Sequence, residues 1–518
     1  MKIASNSTCD KPTTETLAEK SQRLLESSAE ELLSFIVASA AQGRSFDEVE
    51  RKVHQSVLEI GQQAMNLFVG LQGQGDLGES VTYAEGHKLY RSEETVATKV
   101  RSIFGTHSFR QFVYSRGSHE KVQLQPVSAR MSLPESQWSY MLQEFSQMLA
   151  VDSSYEQSMN TLGRMLNAKF SVDTAQQVNH AMGAVAQSFI EDLPAPLPES
   201  EAAILVASAD CKGVPLVKED AQKVAAFEPK KKRPGNRRMA AVTSAYSVQP
   251  HRRTAQEITA AIFREEPLTE TTQPSRPKPQ NKNTTAHMPR LADEGDGTQI
   301  ALTAICVGIA WLVTQIQSRR RQGQELVVLM DGQESLWTEL EHHISREEMI
   351  EILDIIHVLS YLWEAAGLFE KNEQARKQFT RERCLRVLQG DVKSVIKGLR
   401  RMGTTAGFSG KPKRELARVC NYLENNADRM RYDEYLAKGY PIATGVIEGA
   451  CRHLVKDRME RSGMRWTLQG ASDMLNVRAL HQSDHWQSFL AHRIQIATET
   501  IHKNRDLIKD YKPIVLAC

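Results

Sequence analysis

From Thr16 to about Leu71 the apolar residues recur at helical spacing. Leu24, Leu25, Leu32, Leu33 and Ile36, then Val49, Val53, Val57 and Ile60, predict two or three amphipathic helices. Val81 to Val127 changes to short runs of Tyr, Val, Phe and Thr broken by Gly and Ser, the pattern of a small strand-rich patch. Residues 134 to 192 are helical again. Ser154 opens a capping-box pattern with Gln157, and the helical spacing runs to Leu166 and breaks at Asn167 and Ala168. Ser171 then caps a second helix bearing Thr174, Gln176, Gln177, Asn179 and His180. This is a candidate helix-turn-helix. Amide side chains can pair bidentately with adenine, so Gln177 and Asn179 are its candidate base readers. An ordinary helical hairpin with a solvated polar face fits the same residues.

The proline-rich stretch Leu193 to Glu199 marks a domain boundary. Beyond it the grammar is α/β: an apolar run from Ile204 to Ala209, a basic loop, a second run from Met239 to Val248 and a helix near Thr254 to Phe263. Residues 268 to 298 are polar and rich in Pro, Asn, Lys and Thr, which predicts an exposed, mobile insertion. A helix over 301 to 318, a run from Leu326 to Met330 and almost continuous helical pattern follow. The expected organisation is a helical region with the strand-rich patch at 1–130, a helical, DNA-binding segment at 131–192, an α/β domain at 199–485 and a helical tail at 486–518. Within the α/β domain, a helical insertion covers about 362–430.

Composition narrows the partners. At 518 residues the chain is too long for one core. Its 65 basic and 63 acidic residues nearly cancel, so affinity for a polyanion must come from charge placement. The seven cysteines are scattered with no C-x-x-C pair, as in a reduced cytosolic protein. The first fifteen residues lack the apolar core of a secretory signal, and Ala301 to Ile316 is too short and too polar for a membrane span. The expected location is the cytoplasm, with no membrane partner.

Gly73, Gly75 and Gly78 fit G-x-G-x-x-G but lack the strand before and the helix after that would cradle phosphate. More telling, the runs Ile204–Ala209 and Leu326–Met330 both lead into an aspartate, Asp210 and Asp331. Continuous apolar runs predict strands buried on both faces, and open α/β sheets build their sites beyond the carboxyl ends of such strands. Glu448 lies in the first turns of a helix that Thr444 could cap, with Arg452 and Lys456 along its face. Alone, each acid is equally a turn residue or a helix-terminus charge. Together, three hard carboxylate donors suit Mg²⁺ or Mn²⁺, and a pair of such ions suits in-line displacement at phosphorus.

Three further blocks sharpen the picture: Gly439-Tyr440-Pro441-Ile442-Ala443-Thr444-Gly445-Val446-Ile447-Glu448-Gly449, His453-Leu454-Val455-Lys456-Asp457-Arg458-Met459, and Arg461-Ser462-Gly463-Met464-Arg465-Trp466. They resemble the C-terminal signature of DDE transposases of bacterial insertion sequences of the ISKra type. The segments Ala207 to Pro215, Val328 to Gly332 and Ile352 to Leu359 resemble that family's other blocks, in the family's order, so the likeness covers roughly residues 200 to 485. It implies an RNase H-like catalytic core with a helical insertion and an acidic triad of Asp210, Asp331 and Glu448 holding two Mg²⁺ or Mn²⁺ ions. Cys211 stands where the family usually has Gly, and would strain a turn needing positive φ. Thr444 stands where Ser is commoner. Asp354 and His357 fall in a family-like block and read from the residues alone as a pair beside the core.

Basic residues are placed to follow DNA. Lys230, Lys231, Lys232, Arg233, Arg237 and Arg238 come soon after the first run, Arg319 to Arg321 precede the second, and Arg452, Lys456, Arg458, Arg461 and Arg465 accompany Glu448. For Arg319 to Arg321, a helix C-terminus favouring cations is the equal alternative. The resemblance therefore implies a transposase that cleaves and joins double-stranded DNA at terminal inverted repeats, as a dimer or larger assembly. A nuclease or junction resolvase of the same core is the nearest alternative, and a catalytically silent DNA-binding derivative the next.

Overall fold

The computed structural model describes residues 16–83, 86–117, 120–226, 235–265, 276–293, 299–461, 463–512 and 514. They form a mixed α/β structure that divides into two compact units, 1–179 with 487–518, and 180–486. The division falls at residue 179, ahead of the proline-rich stretch, and the C-terminal segment groups with the first unit.

The first unit opens with helices Leu17–Gln42 and Phe46–Leu71, each fixed by a capping box, Thr16 with Glu19 and Ser45 with Glu48. The expected strand patch follows as a three-stranded antiparallel sheet and the hairpin Val96–Ser102 with Gly105–Gln111. Helices Tyr155–Met165 and Val172–Glu191 flank a turn where Asn167 adopts a left-handed conformation. The hairpin exists, but its proposed reading face is not all available. Gln177 is exposed, whereas Asn179 is buried and donates to Gln147 Oε1 at 2.9 Å. The amide of Asn179 satisfies a core acceptor and presents nothing to a base.

The second unit is built on one sheet. Its strands are β1 (Ile204–Pro215), β2 (Arg237–Val248), β3 (Gln280–His287), β4 (Glu325–Met330) and β5 (Ile350–Leu353), in the spatial order β5-β4-β1-β2-β3. β1, β2 and β3 pair antiparallel, while β4 runs parallel to both β1 and β5. Residues 276–293 correct the expected mobile insertion, because β3 lies within it. Its Asn, Lys and Thr content hid a strand that needs little apolar surface at a sheet edge. Thr284 and Thr285 pair by hydroxyl with Ser244 and Thr243 of β2. Residues 266–275 and 294–298 lie outside the described set.

Helix α1 (Ala255–Phe263) carries its own capping box, Thr254 with Glu257. Helix α2 (Ala304–Arg319) packs on β2 at Gly308, where a Cβ would come within 2.9 Å of the Ala241 Cβ. After β5 come α3 (Ile355–Phe369), α4 (Glu373–Leu388), α5 (Val392–Thr405) and α6 (Gly410–Asn425), a helical layer over the stretch of the insertion expected at about 362–430. A single apolar cluster joins Val206, Val327 and Ile352 of the strands to Val358, Leu362, Val387, Leu399 and Leu423 of these helices. No described helix is long and apolar enough to cross a membrane.

Candidate active site

Strand register explains how distant acids meet. β4 pairs with β1 from Glu325 opposite Ile204 to Val328 opposite Ala207, and with β5 from Val327 opposite Ile350 to Met330 opposite Leu353. Carrying both registers forward sets Asp331 beside Asp210 on one side and beside Asp354 on the other. The backbone continues this far, since the Asp354 N–H donates to the Met330 carbonyl at 2.9 Å. Neighbouring residues in one row of a sheet face the same way, so three aspartates form a line across three parallel strands. β1 does not end at Asp210, as the sequence suggested, but runs on to Pro215. Cys211 is therefore extended backbone, and the strain expected there does not arise.

Asp354 is the anchor of this line. It caps α3, is fully buried, and has both oxygens occupied. Oδ1 accepts from the N–H groups of Ile356 at 3.0 Å and Thr444 at 3.2 Å, and Oδ2 accepts from the Thr444 hydroxyl at 2.6 Å and bonds His357 Nδ1 at 2.9 Å. Thr444 thus does not cap its own helix with its side chain; its hydroxyl ties that helix to the sheet. Helix α7 (Gly445–Ala450) starts at this tether and presents Glu448, which is exposed, back towards the row. Asp354, His357 and Glu448 bring ligand atoms within 4.8 Å of one another. The strand-then-Asp signal was present for Asp354 too, since Ile350-Glu351-Ile352-Leu353 leads into it, but Glu351 interrupts the apolar run.

The remaining contacts hold the row in place. Asp210 Oδ1 accepts from the Cys211 N–H at 2.6 Å, and Oδ2 accepts from the Cys451 thiol at 3.1 Å. Asp331 Oδ1 accepts from the Gln333 N–H at 2.9 Å, and the Asp331 carbonyl accepts from Trp337 Nε1 at 2.7 Å. Gly332 is required because the Tyr422 ring, stacked on Tyr361 with centroids 3.7 Å apart, occupies the space a Cβ would need. Burial, with the nearby charges of Asp210 and Asp354, pushes the Asp331 carboxyl up. Partial desolvation, with the charges of Asp354 and Asp210, does the same to Glu448 although its side chain stays exposed. His357 is pushed up to about 9, first by its bond to Asp354 and further by Asp331 and Asp210, so it carries a proton at neutral pH. Among the described residues the tight cluster is thus Asp354, His357 and Glu448, while Asp210 and Asp331, the other two members of the expected triad, act on it through their charges and are not part of it.

Neither a protein-family model nor a curated protein matches this chain.

The basic residues divide. Arg452 and Lys456 are exposed near Glu448. Arg237 is exposed and pairs with Glu460 at 2.5 Å. Arg238 and Arg458 correct the expectation: Arg238 is buried and donates to the carbonyls of Gly235, Arg237 and Ala221, and Arg458 is buried with its guanidinium 4.7 Å from the Trp466 ring. The turn after α7, Cys451–Lys456, is π-helical. Arg319 to Arg321 are structural as well. Arg319 is buried on Glu201, Arg320 donates to the Glu348 carbonyl, and Arg321 to the carbonyls of Pro198, Glu201 and Ala202. Lys231, Lys232 and Arg233 lie outside the described residues.

Proposed function

We propose that the second unit is an RNase H-like catalytic core and that the protein is a DDE-type transposase acting on double-stranded DNA. The observation that carries this reading is the row of Asp210, Asp331 and Asp354 across β1, β4 and β5, with Glu448 supplied by a helix bonded to that row. The strand order, three antiparallel strands followed by two parallel ones, supports the core assignment.

The donor set fits hard divalent cations. Asp354 has no lone pair to spare and positions its neighbours, so Asp210, Asp331 and Glu448 would hold Mg²⁺ or Mn²⁺. Such ions, when bound, lower the pKa of an attacking water and stabilise the departing oxygen at phosphorus. Backbone N–H groups of Cys211 and Gln333 each hold one oxygen, of Asp210 and of Asp331 respectively. His357 places a positive charge beside the carboxylates and offsets part of their repulsion. Arg452 and Lys456 stand where a DNA backbone would need neutralising. A homo-oligomer, at least a dimer, would serve to hold two DNA ends.

Purified protein incubated with the DNA flanking its coding region and Mg²⁺ tests the reading. Nicks at the element ends, followed by joining of the free 3′-hydroxyl to a target, are expected. Hydrolysis without joining would leave the nuclease alternative, and no metal-dependent cleavage of any DNA would overturn the proposal.

A further inference from the structure

Beside the start of α7 lies a cavity of about 420 Å³ whose charged lining residues are basic. Arg253, Arg276 and Lys278 face it together with His251, and its walls are the apolar groups of Tyr246 and Pro441. Arg253 is half-buried and has no carboxylate: it donates to the carbonyls of His251 at 3.0 Å and Tyr440 at 2.6 Å. These bonds brace the turn at Gly439, whose Cβ would collide with the His251 backbone. Neither bond brings an anion into contact with the guanidinium, on which Glu257 acts only through its charge. Arg276 has no acidic partner among the described residues. The nearest carboxylate acting on His251 and Arg253, Glu257, is committed to the cap of α1. Burial and the neighbouring Arg276 push Arg253 down to about 10, and burial with both arginines pushes His251 down.

A half-buried guanidinium with two exposed cations beside it favours an anion, and a cavity of this size is a place for one. We propose that this cavity is a phosphate-binding site that seats a backbone phosphate of the DNA strand a few nucleotides from the scissile position. Resting on the transposase reading, the proposal deepens it by assigning Arg253, Arg276 and Lys278, which lie outside the basic clusters at 230–238, 319–321 and 452–465. Placement agrees: Gly445, on the cavity wall, precedes Glu448 by three residues, roughly 4.5 Å along a helix. Tyr246 pairs with Val206, four residues before Asp210 on β1, roughly 13 Å along the strand. The apolar walls suit the sugar, and the cations suit the phosphate oxygens.

The test is DNA binding by fluorescence anisotropy as a function of salt, without divalent metal so that no cleavage intervenes. Arg276→Ala/Lys278→Ala removes two exposed charges and leaves Arg253 bracing its turn. Affinity for duplex DNA is expected to fall about tenfold, and the dependence of log K on log salt to become shallower by about 1 to 2. Arg276→Lys/Lys278→Arg, which keeps both charges, should restore the wild-type slope. If wild-type protein binds DNA and the alanine variant matches it in affinity and slope, the cavity proposal fails and the transposase reading stands. If wild-type protein binds no DNA, both fail. Inorganic phosphate supplies a second arm: it should raise the melting temperature of wild-type protein and not of the alanine variant. Stabilisation by phosphate without any difference in DNA binding would mark a free-anion site and overturn the DNA assignment.

Discussion

Two ends of the same sheet hold charge in opposite ways. At the start of β1, Glu201 and Arg319 form a bidentate pair at 2.8 and 3.2 Å with both side chains sealed from solvent. Burial pushes Glu201 up, but the bonds from Arg319 and Ser247 outweigh it and hold the carboxyl below its usual range. At the other end of β1 and β4, Asp331 and Glu448 are pushed up by burial and by neighbouring acids, with His357 the nearby cation. A paired buried charge defines a fold, whereas a crowd of like charges is tolerated where something else will compensate it. The comparison separates a satisfied ion pair at the first end from a set of neighbouring like charges at the second.

The largest effects should separate the two ends. Asp210→Asn, Asp331→Asn and Glu448→Gln are each expected to lower metal-dependent cleavage by ~10³-fold or more, measured on end DNA, while DNA binding persists. Asp331→Asn should also melt at or above the wild-type temperature, because it relieves repulsion. A marked drop in its melting point would place Asp331 with the structural charges. Next, Glu201→Ala strands a buried guanidinium and is expected to cost about 3–5 kcal/mol in denaturant unfolding. If it lost cleavage with its stability intact, the contrast between the two ends would dissolve.

How much of this was readable in the chain follows from the same physics. Ile204–Ala209 and Leu326–Met330 stood out because strands buried on both faces must be apolar throughout, and register then did the rest for Asp210 and Asp331. β3 was hidden because an edge strand tolerates Asn, Lys and Thr. The arginines misled in the opposite direction. Arg238, Arg319 and Arg458 sit in basic stretches, yet each turns inward onto carbonyls, a carboxylate or an indole, and a long amphipathic side chain carries no local sign of which way it folds. Asp354 and Thr444 were legible as residues but not as partners, since 90 positions separate them.

A third treatment of a buried titratable group sharpens the contrast. His287 on β3 is bonded to Thr285 and packed near Trp311, and burial, with Arg290 nearby, pushes it down to about 3. The fold therefore keeps it neutral, while an unfolded chain takes up a proton below its ordinary value of 6.5. Stability is fully present above pH 6.5 and falls as the pH drops towards 3, by about 2 kcal/mol at pH 5. His287→Gln should lose less stability than wild type between pH 7 and 5 in denaturant titrations. Equal losses would mean that the acid limb comes from other groups, Glu201 among them, whose lowered carboxyl weakens the fold when protonated.

The smallest expected effect is the most discriminating about Asp354. Thr444→Val removes the hydroxyl that donates to Asp354 Oδ2 and keeps the shape of the side chain. A hydrogen bond to a charged acceptor contributes about 1.5–3 kcal/mol, and since Oδ2 retains its bond to His357 the stability loss should stay within that range. The tether between the aspartate row and α7 is nevertheless cut, and Glu448 loses its fixed approach. Cleavage should therefore fall several-fold more than stability accounts for, with the divalent-ion concentration needed for half-maximal rate shifted upward. Thr444→Ser, which restores the donor, should recover both. If valine left the metal dependence unchanged, Asp354 would be a buried cap for α3 alone, and the active end of the sheet would consist of Asp210, Asp331 and Glu448 without a device that sets their spacing.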